Sequence, residues 1–140
     1  MISYKDTVPF QWPITSGYVV KVYDGDTITI ASKMPYTFES PLYRFSVRLS
    51  GIDTPEMKSS NPTLKQAAHL AQSELETLIM NKTISLCNLQ TEKYGRILAD
   101  VFLENLHVNQ WMIEKRLALA YDGKKKATDE EMITFLQSKA

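Results

Sequence analysis

Tyr43-Arg44-Phe45-Ser46-Val47-Arg48-Leu49-Ser50-Gly51-Ile52-Asp53-Thr54-Pro55-Glu56 is the stretch on which the fold turns. Its first half alternates. Tyr43, Phe45, Val47 and Leu49 fall on one face and Arg44, Ser46 and Arg48 on the other, the period of a half-buried β-strand. Its second half leaves that strand and turns at Pro55. An arginine, an aspartate and a glutamate are thereby held in one short run, and the proline limits where the next side chain, Glu56, can go.

Upstream, Tyr18 to Tyr23 is β-branched and aromatic, Asp24-Gly25 is a turn signal, and Thr27 to Ile30 alternates, so a β-hairpin precedes the strand. Ser32 to Pro41 holds two prolines and reads as a loop. Residues 1–15, broken by Pro9 and Pro13, read as an N-terminal arm to a single domain at 16–140. Downstream, Asn61-Pro62 is an N-cap followed by proline at the first helical position. Leu64, Ala67, Ala68, Ala71, Leu75, Leu78 and Ile79 then form one apolar stripe, giving a helix that ends near Asn81. Thr83 to Gln90 reads as a strand that loses alternation around Cys87. Ile97 to Leu103 is a further strand, and Glu104-Asn105 a turn. A short helix is expected over 108–116. Thr128 and Glu131 make a capping box for a last helix reaching about Ser138. Five short strands, with a helix after the third, fit an α+β chain that is mainly β barrel. The expected architecture is a five-stranded Greek-key barrel of OB type with three α-helices.

A chain of 140 residues, 44% apolar and 23% charged, is ordinary for one globular domain. No apolar run approaches the roughly 20 residues of a spanning helix, and the start carries no basic-then-apolar leader, so an intracellular protein is expected, with a secreted mature form left open. One cysteine, Cys87, excludes an internal disulfide. His69 and His107 share no motif with it. The net charge of zero argues at first against a polyanionic partner. If Asp24, Asp26, Asp53 and Glu56 cluster around a cation, however, only 12 of the 16 acids remain to face 16 Lys and Arg.

The chemistry follows from residue type. Asp26 and Asp53, each at a strand end, with the Thr54 carbonyl and water, suit a hard cation, Ca²⁺ or Mg²⁺. Glu56 beside such a cation can take a proton from water. Arg48 and Arg96 are forks that grip phosphate oxygens, and Gly95 lets the chain bend before Arg96. Lys93, Tyr94 and Tyr121, the last followed by Lys124-Lys125-Lys126, suit terminal phosphates and stacked bases. Each motif alone is also an ordinary loop or turn signal; their coincidence points to metal-assisted phosphodiester hydrolysis.

Asp24-Gly25-Asp26-Thr27, Arg48 to Glu56 and Lys93-Tyr94-Gly95-Arg96 resemble, in order and approximate spacing, the staphylococcal nuclease family. Val108-Asn109 and Leu117 to Tyr121 are similar to its helix after the barrel and the segment beyond. The resemblance implies an OB-type barrel with three helices and Ca²⁺-dependent cleavage of DNA and RNA; a monomer acting preferably on single strands, away from any membrane, is expected. Water would attack phosphorus and leave 3′-phosphate ends. It implies Asp26, Asp53 and Thr54 as metal ligands, Glu56 as activator of the water, Arg48 and Arg96 as stabilisers of the transition state, and Lys93, Tyr94 and Tyr121 as substrate contacts. The chain departs from the family pattern in a longer Ile30–Tyr43 connection, fewer lysines after Glu56 and a single tyrosine near 121. A non-catalytic OB-type module that binds single strands is the alternative, since it needs only the barrel, the tyrosines and the lysines.

Overall fold

The computed structural model describes residues 1–36 and 38–138. The expected loop over 32–41 includes position 37, and the expected domain end includes 139 and 140; those three positions lie outside the described residues. Strands β1 (Ser16–Val22) and β2 (Thr27–Ser32) form the hairpin, and β3 (Tyr43–Leu49) runs antiparallel to β2 in full register, from Thr27 opposite Arg48 to Ser32 opposite Tyr43. After the two-residue strand β4 (Ile52–Asp53) come helix α1 (Pro62–Ile79), β5 (Thr83–Thr91) and β6 (Ile97–Leu103). β5 pairs with both β1 and β6, and a parallel pairing of Val47–Leu49 with Ile97–Ala99 joins β3 to β6. The sheet therefore closes on itself as a five-stranded mixed barrel of OB type, carrying three α-helices among the described residues. Short β7 (Leu106–His107), helix α2 (Val108–Glu114), short β8 (Leu119–Ala120) and helix α3 (Asp129–Gln137) complete the chain.

Alternation built this barrel. Val19, Ile28, Ile30, Val47, Leu49, Ile84, Ala99 and Val101 point inward and are fully or almost fully buried. The α1 stripe of Ala71, Leu75 and Ile79 joins the same core, with Val108 and Met112 of α2. Asn61 caps α1 as its sequence suggests, its side-chain oxygen accepting from the N–H groups of Thr63 and Leu64. The Thr128–Glu131 capping box is formed reciprocally at the start of α3. Alternation fails in β5 where expected: the register against β6 slips between Cys87 and Gln90, and Asn88 takes a left-handed φ of 53°. Helix α2 stops at Glu114, two residues short of the expected end, and Arg116 is left-handed at φ 57°.

Two features of the fold set the position of the cleft described below. The β1–β2 turn is clamped between elements: a Cβ on Gly25 would lie 2.8 Å from the Ala71 side chain and 2.9 Å from that of Thr54, so only glycine lets α1 and the Asp53–Thr54 segment close on it. Asn109 on α2 is buried, its side-chain oxygen accepting from Val101 N–H at 2.8 Å while its amide donates to the carbonyls of Ser50 (2.8 Å) and Ala99 (3.2 Å). It ties the helix, β6 and the turn that feeds β4 into one unit. Near the N-terminus, Ile14 is buried in the core and Trp12 packs edge-on against Phe45 at 5.6 Å. Among the described residues no helix is long and apolar enough to cross a membrane.

Candidate active site

Asp26 stands at the start of β2 and Asp53 on β4; both are buried, and they face one another across Arg48 of β3. A single guanidinium nitrogen, Arg48 Nη2, lies 3.4 Å from Asp26 Oδ2 and 3.8 Å from Asp53 Oδ1, while Nη1 donates to the Leu49 carbonyl at 2.9 Å. Asp26 is held further by hydroxyls: Thr54 Oγ1 donates to its Oδ2 at 3.1 Å and Thr27 Oγ1 to its Oδ1 at 3.0 Å. Four of the residues singled out in the sequence are therefore in direct contact, because the β2–β3 register sets Thr27 opposite Arg48 and β4 folds back beside them.

Asp53 owes its position to a pairing that the sequence does not signal. β4 pairs antiparallel with β8, Asp53 opposite Leu119, and Tyr121 N–H donates to the Gly51 carbonyl at 2.8 Å. This brings the segment after Tyr121 over the site. Lys126 Nζ reaches within 4.0 Å of Asp53 Oδ1. Burial pushes the Asp53 carboxyl above its ordinary range; Lys126 and Arg48 oppose that, and the negative charges of Asp26 and Glu56 add to it. Asp24, whose carboxylate accepts from Asp26 N–H at 3.0 Å, is pushed up to about 6 by burial and then by its hydrogen-bonded, like-charged neighbour Asp26.

Two clefts flank this centre. One, of about 530 Å³, is lined by Arg48, Arg96, Glu92, Tyr121 and Lys126. The other, of about 380 Å³, is lined by Asp53, Thr54, Glu56 and again Lys126. Glu56 is exposed on its rim. Arg96 lies past the tip of the β5–β6 hairpin, after Gly95 at φ 85°, and its Nε donates to Glu92 Oε2 at 2.6 Å. Lys93 and Tyr94 stand at the hairpin tip, outside both clefts. Tyr94 is 89% exposed, with the Lys93 ammonium 5.7 Å from its ring centre. Glu92 and Lys126 were not singled out in the sequence. Glu92 could have been found as the acid four residues before Arg96 across a turn. Lys126 was visible only as part of a charge run, because its place depends on the β4–β8 pairing.

The donors here are carboxylate, hydroxyl and carbonyl oxygens, with no imidazole or thiolate, which suits Ca²⁺ or Mg²⁺ rather than zinc. Among the described residues no three Asp, Glu, His or Cys side chains converge as a ready-made metal cage. A cation would therefore rest on Asp26, Asp53 and a Thr54 oxygen, completed by water.

Barrel and cleft together define an OB-fold protein whose mouth pairs buried carboxylates with arginines. Residues 46–140 match the family model described as staphylococcal nuclease homologue, and the chain belongs to that family. An uncharacterized endonuclease of Escherichia coli is 30% identical over 118 residues, covering 81% of this chain and 68% of that protein. Protein ParB of Escherichia coli is 27% identical over 136 residues, covering 90% and 68%. The staphylococcal-like nuclease CAN1 of Arabidopsis thaliana is 34% identical over 82 residues, covering 56% of this chain and 24% of its own. Family membership supports a nuclease and implies nucleic acid as its substrate class.

Proposed function

We propose that the chain is a calcium-dependent nuclease that hydrolyses DNA and RNA, preferably single-stranded, by attack of water at phosphorus, releasing the 5′-oxygen and leaving 3′-phosphate ends. The observation that carries this reading is the placement of Arg48 between two buried carboxylates in a cleft it shares with Arg96. Asp26, Asp53 and Thr54 would hold the cation; when bound, Ca²⁺ neutralises charge on the phosphate. Glu56, on the adjoining rim, would take the proton of the attacking water. Arg48 and Arg96 would bind the equatorial oxygens, where charge builds during in-line attack. Arg96 must first exchange Glu92 for phosphate. Tyr121 lines the same cleft and would meet a base or sugar, while Lys93 and the exposed Tyr94 would reach substrate from the hairpin tip. One chain carries every group named, so it is proposed to act as a monomer.

The test is cleavage of end-labelled single-stranded DNA and RNA in Ca²⁺, in Mg²⁺ and in chelator. Arg48→Ala, Arg96→Ala and Glu56→Gln are each expected to lose about 10²–10³ in rate, the usual cost of removing one preorganised group at such a centre. Products should resist polymerase extension until a phosphatase removes the 3′-phosphate. Cleavage unaffected by either arginine substitution would refute the mechanism. A wild-type chain that binds strands without metal and never cuts them would place it among OB-type binding modules instead.

A further inference from the structure

A third groove, of about 500 Å³ and bordered by Gly95, is used by no part of the proposed chemistry. The rings of Trp12, Tyr43 and Phe45 line it, with Arg44 and Gly95. The rings form an edge-to-face chain: Phe10 to Trp12 at 5.0 Å, Trp12 to Phe45 at 5.6 Å, Phe45 to Tyr43 at 6.4 Å. Phe10 and Tyr43 remain 65% and 46% exposed, more apolar ring than a solvated surface needs. We propose that this groove is a base-stacking subsite that holds the single strand bound in the Arg48–Arg96 cleft, several nucleotides away from the scissile phosphate.

This rests on nucleic acid being the substrate, and three observations favour that occupant. The two grooves meet at one element, since Gly95 lines this one and its neighbour Arg96 lines the other. Among the described lining residues the one charged side chain is Arg44, a cation, which suits a phosphate. Arg44 shares its strand face with Arg48, about 13 Å away along four residues, and lines the groove together with the rings of the opposite face, so a strand gripped by both arginines reaches the rings over the open edge of β3. Barrels of this kind bind about 4–16 nucleotides through stacked rings and a basic track, more than the cleft alone accommodates. The competing occupant is an added peptide strand, because β3 pairs with β6 only from Val47 onward and its edge at Tyr43–Ser46 is open there.

The chain has two tryptophans, so Trp111→Phe leaves Trp12 as the sole reporter. With chelator present to stop cleavage, an oligothymidylate of about eight nucleotides should quench Trp12 emission, while a dinucleotide should not. The double substitution Tyr43→Ser with Arg44→Ala, both exposed positions, should weaken octamer binding about tenfold by anisotropy, measured also with Trp111 intact. Unchanged affinity in that variant with silent Trp12 overturns the proposal. Quenching by an unrelated extended peptide and not by the octamer also overturns it, in favour of strand addition. The two readings fail separately: Ca²⁺-dependent cleavage with silent Trp12 removes the subsite alone, whereas Trp12 quenching without cleavage removes the nuclease chemistry and keeps the subsite.

Discussion

Asn109→Ala is the substitution with the largest expected effect for its size. The side chain makes three hydrogen bonds in a buried setting, to Val101 N–H and to the carbonyls of Ser50 and Ala99. Ala99 keeps a partner, because Ser50 N–H donates to the same carbonyl at 2.9 Å. Val101 N–H and Ser50 C=O lose theirs. A buried group left unpaired costs about 1–3 kcal/mol, and the Ser50 carbonyl, at a partly exposed residue, recovers some of that from water. The small cavity left by the amide adds to the loss. The total comes to about 3–4 kcal/mol, against about 5–15 kcal/mol for a domain of this size. With a urea m-value of about 2 kcal/mol/M, the midpoint should fall by about 1.5–2 M with m unchanged. Asn109→Asp keeps the acceptor for Val101 but sets a carboxylate against two carbonyls, so it should be at least as damaging. A loss below about 1 kcal/mol in Asn109→Ala would refute the argument that this one residue joins α2, β6 and the β3–β4 turn.

Glu92→Gln should raise affinity for nucleic acid and kcat/KM severalfold at low salt, because Arg96 no longer leaves a charged partner to bind phosphate; a decrease would show that Glu92 positions Arg96 productively. Lys126→Ala should weaken binding of all sequences about equally and lower the log–log salt slope by about 1, read by anisotropy titrations at several ionic strengths. Asp100 is raised by burial, but hydrogen bonds from Asn88, His107 and Ser50 outweigh that and hold its carboxyl below the ordinary range. Its stabilisation is therefore present above about pH 4 and lost as pH falls through the lowered value. Asp100→Ala should cost about 1 kcal/mol at pH 7, a figure reduced for solvent screening, and the gap to wild type should close in acid unfolding curves. A gap that persists at pH 2 would mean the loss is packing rather than charge.

Regular, half-buried elements were legible and irregular ones were not. β3 and β6 fall at their expected limits because one face of each packs into the barrel, so burial writes itself as alternation. The N-terminus of α1 is visible because Asn61 and Pro62 meet the needs of orphan N–H groups directly. β4 and β8 are two residues each, too short to carry a period, and their pairing is a tertiary event. For that reason Asp53 could be read as a candidate from its motif, yet the lysine beside it could not. Trp12 and Ile14 sit among prolines, where no period forms, and their packing on the barrel left no pattern to find. Lys93 and Tyr94 share a motif with Arg96, but the hairpin turn separates them: Arg96 lines the cleft and the other two face solvent.

The β4–β8 pairing also orders events in time. Asp53 is made before β5 and β6, but the strand that pairs with it, at Leu119–Ala120, is made only after all five barrel strands. The lysine that faces the same carboxylate follows later still. A growing chain can close its five barrel strands before either partner exists. The cleft is therefore completed after the barrel during synthesis, and a truncated product ending before residue 119 would carry Asp53 without the strand that pairs with it.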